Sequence, residues 1–305
     1  MVKKIIVTGA TGFVGQHTLK PLLNKNFEVH TFSRNRSLNI KGVHEHTVDV
    51  LTEEKKTQAL FNEIKPSHLL HLAWTVEPGK FWSCRENLSW VRASLQLYEN
   101  FVASGGRRIV SAGTCAEYDW SNLTSQSVLD EEESTLKPST LYGASKLSLY
   151  QILSKAAEKD NISLAWGRIF FLFGEGEKPG RLIRDTVDKL LSHEPFATTA
   201  GTQIRDFMNV KDAGEAFAQL CDHDVSGTFN IGSGRPKKIY EILQEVEKQI
   251  GKKDLLQLGQ RTMPPNEPLA IVAKVDRLKA IWPDFLNHKL EDELRDFIKW
   301  RMKQN

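Results

Sequence analysis

The chain is poor in sulfur: its 305 residues hold three cysteines, Cys84, Cys115 and Cys221, and four methionines. Cysteines so few and so scattered make neither a disulfide framework nor a zinc centre, so no metal is expected and a reducing compartment suits the chain. Long apolar runs are missing too. The N-terminal stretch Ile5-Ile6-Val7 is too short for a secretory leader, and no later run reaches the roughly 20 residues of a membrane span. The expectation is a soluble, cytoplasmic protein with no membrane partner. An excess of one charge is also absent, since 41 basic and 38 acidic residues leave a formal +3. Nucleic-acid binding wants a dense basic face, and this balance supplies none. There is no internal repeat and no low-complexity tract. What remains is an ordinary globular composition, 40% hydrophobic and 26% charged, at a length that suits one large domain or a domain with a smaller lobe.

The first feature that is present is a strand over 4–8 running into Gly9-Ala10-Thr11-Gly12-Phe13-Val14-Gly15 and then a helical pattern with Leu19, Leu22 and Leu23. Three glycines spaced G-x-x-G-x-x-G let the backbone turn tightly. They also let a pyrophosphate approach the helix N-terminus, where free N–H groups and the helix dipole favour negative charge. A glycine-rich turn without a ligand is the plain alternative. A second strand, 27–32, ends in Ser33-Arg34-Asn35-Arg36. An NAD site usually carries an acid there for the ribose hydroxyls; a serine and two arginines suit a 2′-phosphate, which guanidinium groups grip in a fork. The expected cofactor is therefore NADP(H) in preference to NAD(H), the alternative being two solvated loop arginines.

A third strand over 43–50 ends in Asp49-Val50, with Asp49 placed to meet an adenine ring. A fourth over 68–73 ends His71-Leu72-Ala73-Trp74. Ala73 is small enough to admit a cofactor, His71 reads as a packed strand residue, and Trp74 either walls the pocket or packs in the core. A helix over 86–104 precedes a fifth strand, 108–112, which leads into Gly113-Thr114-Cys115-Ala116. Tyr142 and Lys146 then lie four apart on a helix that Ser139 or Thr140 can cap. That spacing puts both on one face, where an ammonium beside a phenol favours the phenolate. Taken alone, the pair could equally be an exposed amphipathic couple. The sixth strand is 162–171, and Asp212 with Glu215 makes a capping-box signature for a later helix.

Strands alternating with helices give an α/β fold, a doubly wound parallel (Rossmann) sheet with a smaller C-terminal substrate-binding lobe. The expected division is 1–172 for the dinucleotide-binding domain and 173–305 for the lobe, with 205–235 returning to the first. Ligands in such folds lie beyond the carboxyl ends of the strands, where these motifs converge.

Gly9/Gly12/Gly15, Asp49-Val50, His71-Leu72-Ala73, Thr114, Tyr142/Lys146, Arg205-Asp206-Phe207 and Asn230-Ile231-Gly232, in that order, resemble the extended short-chain dehydrogenase/reductase family of nucleotide-sugar epimerases, dehydratases and ketoreductases. The resemblance implies Tyr142 as general acid/base, Lys146 as its electrostatic partner and ribose ligand, and Thr114 as a hydrogen bond to the reacting oxygen. It implies Asn87 as a supporting residue near the cofactor. Arg205 and Arg261 resemble the arginines that clamp a substrate diphosphate, and each could instead be structural. Cys115 and Phe171 fall at the expected substrate site. The partner so implied is a nucleotide-diphosphate sugar, and family members often dimerise through helices corresponding to 86–104 and 140–159, whose apolar faces could also simply cover the sheet.

Departures from the pattern select among activities. Related dehydratases carry Asp-Glu directly after the threonine, where this chain has Cys115-Ala116. Epimerases usually keep the acidic end of the second strand, and many show Phe-Asn-Pro where Phe170-Phe171-Leu172 stands. The favoured expectation is NADPH-dependent reduction of a nucleotide-linked 4-keto-6-deoxy sugar. The alternatives are a nucleotide-sugar epimerase with tightly bound NAD(P), a reductase of another small carbonyl compound, and a cofactor-binding regulatory protein without turnover.

Overall fold

The computed structural model describes residues 2–34, 37–285 and 287–304. The chain runs β1 (Lys3–Thr8), α1 (Gly15–Asn24), β2 (Phe27–Ser33), β3 (Val43–Thr47), α2 (Glu54–Ile64), β4 (His68–His71), α3 (Glu86–Ala103) and β5 (Arg108–Thr114). A single 3-10 turn, Cys115–Glu117, leads toward α4 (Leu141–Asp160), β6 (Ser163–Ile169), β7 (Phe171–Phe173), α5 (Leu182–Leu191), β8 (Phe196–Ala197) and β9 (Ile204–Asn209). After these come α6 (Val210–Asp222), β10 (Gly227–Ile231), β11 (Pro236–Lys238), α7 (Ile239–Ile250), β12 (Leu256–Gln257), β13 (Ala270–Ile271), α8 (Asp276–Ile281) and α9 (Leu290–Met302).

Among the described residues the main sheet has seven strands in the order β10-β6-β5-β4-β1-β2-β3, all parallel. It is the doubly wound arrangement expected. Its central strands are buried on both faces, which is why they read as continuous apolar runs. Along β1, Ile5 and Val7 join the core shared with α1 and α6, while Ile6 turns to the core beneath α2, α3 and α4. The strand order reverses between β1 and β4, which opens the crevice at their carboxyl ends.

The lobe is built from a four-stranded sheet, β11-β9-β13 with β7 on β9, and a separate apolar cluster of α5, α7 and α9 that includes Phe173, Ile183, Val246, Leu294 and Phe297. Within 205–235, α6 and β10 lie on the main sheet, whereas β9 belongs to the lobe's sheet. Several local expectations differ: the fourth strand stops at His71, and the sixth ends at Ile169, with Phe171 opening β7 in the lobe's sheet. The third strand stops at Thr47, because Asp49 makes a turn, its carboxylate accepting from the Leu51 N–H at 3.0 Å. The fifth continues to Thr114. The cap of α6 is Asn209, whose side chain accepts from Lys211 N–H at 2.9 Å, so Asp212 already sits within the first turn. No helix of the described residues is long and apolar enough to cross a membrane, and the cysteines are free thiols.

Candidate active site

The glycine turn closes the end of β1. Gly9 has φ +73°, and a Cβ there would stand 2.7 Å from the Ala73 backbone nitrogen; a Cβ at Gly15 would stand 2.1 Å from the Gly9 carbonyl oxygen, so neither position accepts a side chain without moving the backbone beside it. A cavity of about 750 Å³ opens over this turn. Gly9, Thr11, Gly12 and Phe13 line one part of it, and Ser33, Arg34, Asp49 and Val50 another, with Ala73 and Trp74 between. A second cavity, about 470 Å³, holds Thr114, Cys115, Tyr142, Lys146, Phe171 and Arg205, together with Val14, Gly15 and Leu72. Gly9, Gly12, Phe13 and Trp74 line both, so the two form one cleft. Asn35 and Arg36 lie outside the described residues.

Thr114 ends β5, and Tyr142 and Lys146 occupy the first two turns of α4. Thr140 caps that helix, accepting from the Gly143 N–H at 3.1 Å. A Cβ at Gly143 would stand 2.3 Å from the Ala116 carbonyl oxygen, so only glycine lets α4 lie this close to the turn after Thr114. Glu117 fixes that turn. Its Oε1 accepts from the Thr114 N–H at 2.9 Å and from Trp166 Nε1 at 3.0 Å, and its Oε2 takes Arg168 Nε at 2.8 Å, all within the buried interior. The spent lone pairs make Glu117 a brace and not a free base.

The electrostatics differ from the simple helix-face expectation. Burial pushes the Tyr142 phenol well above its ordinary value, and a hydrogen bond with Thr114 only partly opposes this. Lys146 is itself pulled down to about 7 by burial, against the pull of Glu117. Its Nζ donates to the Ala112 carbonyl oxygen at 2.8 Å and stands 3.7 Å from the centre of the Trp74 ring. Spacing brought the two residues to one cleft; the low dielectric around them, and not their attraction, sets the resting state as a neutral phenol.

Two expected ligand residues do not reach the cleft. Asn87 is buried behind Trp74, with its Oδ1 accepting from Trp74 Nε1 at 2.8 Å and its Nδ2 donating to the Phe81 and Cys84 carbonyl oxygens. Its amide is spent on positioning Trp74, and it lines neither cavity. Arg261 is exposed and lines neither cavity; its backbone N–H is tied to the Thr198 carbonyl oxygen at 2.9 Å, beside the β8–β12 edge. Arg205 does reach the cleft, but its guanidinium is paired with Glu267, bonded to the Pro268 carbonyl oxygen at 3.0 Å and held over Phe171. Its neighbour Asp206 faces the other way and anchors the lobe, accepting from Ser233, Gly234 and Ala273 N–H groups. His71 is a packed strand residue, bonded to Thr8 and Ser94 and pushed by burial down to about 3.

Several lining residues carried no expectation. Phe81 and Trp82 pack edge-on to Tyr142, with ring centroids at 4.9 and 5.9 Å, and Trp120 meets Trp82. Large aromatic groups in a loop next to Pro78-Gly79 were the available signal, since such groups need a cover. Glu177 and Arg181, from the loop before α5, line both cavities.

The residues present fit a nicotinamide dinucleotide. The turn offers a glycine-lined cradle at a helix N-terminus, Arg34 stands at the far end, and the cleft continues to Tyr142 and Lys146. Residues 5–232 match the model of the NAD dependent epimerase/dehydratase family. A dTDP-6-deoxy-L-talose 4-dehydrogenase (NAD(+)) of Aggregatibacter actinomycetemcomitans is 27% identical over 257 residues, covering 79% of this chain and 88% of its own. A UDP-glucose 4-epimerase of Bacillus subtilis is 26% identical over 289 residues, covering 81% and 82%. Among solved structures, a UDP-N-acetylglucosamine 4-epimerase of Methanobrevibacter ruminantium superposes with TM-score 0.87 at 21% identity over 100% of this chain and 99% of that one, a likeness of fold. The chain belongs to the NAD dependent epimerase/dehydratase family, the extended short-chain dehydrogenase/reductases, and is an NAD(P)-dependent oxidoreductase of that type.

Proposed function

We propose that the protein reduces the carbonyl of a nucleotide-linked 4-keto-6-deoxy sugar with NADPH. The observation that carries this reading is an intact Thr114, Tyr142 and Lys146 beside two positions, Cys115 and Ala116, that offer no carboxylate. Burial pushes the Cys115 thiol up to about 12, so it stays a neutral thiol at working pH. Elimination of water has no acid–base pair there to serve it. A buried neutral phenol, by contrast, is the form that gives a proton. When bound, the nicotinamide supplies the hydride. Tyr142 protonates the carbonyl oxygen, Thr114 hydrogen-bonds the same oxygen, and the aromatic wall of Phe81 and Trp82 keeps water from the phenol. Lys146 is placed to restore charge balance as Tyr142 loses its proton.

The relative that acts as a 4-dehydrogenase on a dTDP-6-deoxy sugar supports the substrate class, because it performs the same interconversion at the same carbon in the other direction. Arg34 supports NADPH, through a 2′-phosphate. The second reading, a 4-epimerase, draws on the relatives of that activity. Cofactor content of the purified protein separates the two. An enzyme that leaves purification empty and consumes added NADPH with a 4-keto nucleotide sugar fits the reductase. Stoichiometric, tightly held NAD fits the epimerase and contradicts the first reading. We also propose a cytoplasmic homodimer, joined through the outer faces of α3 and α4, where Leu88 and Ile152 are about half exposed (51% and 48%).

A further inference from the structure

Between the dinucleotide groove and the catalytic cleft stands a carboxyl that the reaction scheme does not use. Glu177 lies on the loop 174–180 between β7 and α5, is buried, and lines both cavities. Its Oε2 has no hydrogen-bond partner among the described residues. A buried polar oxygen left unpaired is costly, so a partner is expected in the working state. The loop is tied in place: Arg184 donates to the Glu177 backbone carbonyl, and the Gly180 N–H donates to Asp185 Oδ1 at 2.8 Å.

The charged groups that face this carboxyl are Arg181 and Arg184, which favour ionisation, and Asp185, which opposes it. Burial outweighs them and raises the group to about 8, so at neutral pH it carries its proton. A neutral carboxyl donates through its O–H and accepts through its C=O.

On the dinucleotide reading given above, the cofactor runs from Arg34 past the glycine turn to Tyr142. It crosses the junction that Gly12, Phe13, Trp74 and Glu177 share. The part lying beyond the pyrophosphate is the nicotinamide riboside. Its carboxamide sets an N–H donor and a C=O acceptor side by side, the complement of a neutral carboxyl. We propose that Glu177 is the residue that binds the nicotinamide carboxamide, and so orients the ring against the carbonyl held by Tyr142.

Binding measured without any sugar tests this, by fluorescence or calorimetric titration of the whole protein. Glu177→Leu should weaken NADPH about tenfold, the loss of a well-made pair of hydrogen bonds. The same variant should bind ADP-ribose bearing the ribose phosphate, which lacks nicotinamide, within about twofold of wild type. Glu177→Gln keeps a donor and an acceptor and should stay within about threefold. The acetylpyridine analogue of NADPH, which keeps the carbonyl but has no amide N–H, should bind wild type more weakly and lose less than NADPH does in Glu177→Leu. Should the leucine variant not fold, Glu177→Ala against the same ligands carries the same comparison. Unchanged NADPH affinity in Glu177→Leu overturns the proposal, and so does an equal loss for the nicotinamide-free ligand, which would put the contact on the pyrophosphate. Wild-type protein that binds no dinucleotide at all would overturn the cofactor reading itself, and this contact with it.

Discussion

The Lys146 ammonium stands 3.7 Å from the centre of the Trp74 ring, with Ala112 as its hydrogen-bond acceptor and no carboxylate among the described residues paired to it. The indole is held there by Asn87 on one edge and by stacking on Trp90. A buried ammonium facing a π-cloud keeps some of its charge stabilisation, though less than water gives.

That arrangement has a consequence for stability. Burial lowers Lys146 from 10.5 to about 7, so between these values the unfolded chain binds the proton and the folded chain does not. Stability therefore rises as pH climbs through this window, and below about 7 the folded state bears the full cost of the buried charge. Lys146→Met should be more stable than wild type at pH 6 by an amount on the order of a few kcal/mol, since one pKa unit is about 1.4 kcal/mol. The gain should shrink toward pH 10. Urea unfolding of both proteins across this range measures it, and a difference independent of pH would contradict the assignment.

Cofactor choice rests on Arg34. Arg34→Ala should raise the KM for NADPH about tenfold or more, because a charge-assisted phosphate contact is worth roughly 1.5–3 kcal/mol. The KM for NADH should move less than about twofold. Steady-state kinetics with both cofactors decides, and an equal loss for each would remove the 2′-phosphate contact.

Arg205 and Glu267 make opposed predictions. If a substrate diphosphate takes the guanidinium, the Glu267 carboxylate competes with it for the same donors. Glu267→Gln should then lower the KM for a nucleotide-diphosphate sugar a few-fold, and Arg205→Met should raise it about tenfold or more, with smaller changes in kcat. Both variants losing affinity alike would mean the pair is a structural brace.

Leu88 on α3 and Ile152 on α4 are the exposed apolar groups of the proposed dimer face. Wild type should elute as a dimer by size exclusion with light scattering. The double change Leu88→Arg, Ile152→Arg should give a monomer that keeps its fold. A wild-type monomer at micromolar concentration ends this proposal.

What the sequence disclosed followed from contiguity. The strand, glycine turn and helix of 4–24 are consecutive, so their chemistry can be read in order, and alternation of strands with helices gave the parallel sheet. Tyr142 and Lys146 were legible through helix spacing. Their electrostatics were not, because Lys146 turns to Ala112 and Trp74, groups from distant segments. The wall of Phe81, Trp82 and Trp120, and the carboxyl of Glu177, come from loops whose approach depends on the tertiary fold. Arg261 misled because a loosely matching loop gave an arginine without a direction. Asp212 misled because its capping pattern was outcompeted by Asn209, three residues earlier and the last residue of a strand. Asn87 stood in the right neighbourhood, one shell behind the cleft.

The most direct test follows one turnover. Enzyme loaded with NADPH is mixed with a 4-keto-6-deoxy nucleotide sugar, and the nicotinamide absorbance is followed for wild type and Tyr142→Phe. Wild type should oxidise NADPH and yield the 4-hydroxy sugar. Tyr142→Phe should fold, bind NADPH normally and react about 100-fold or more slowly, the scale of a lost general acid. Equal rates in the two proteins, or no oxidation by wild type with any 4-keto nucleotide sugar, would contradict the account.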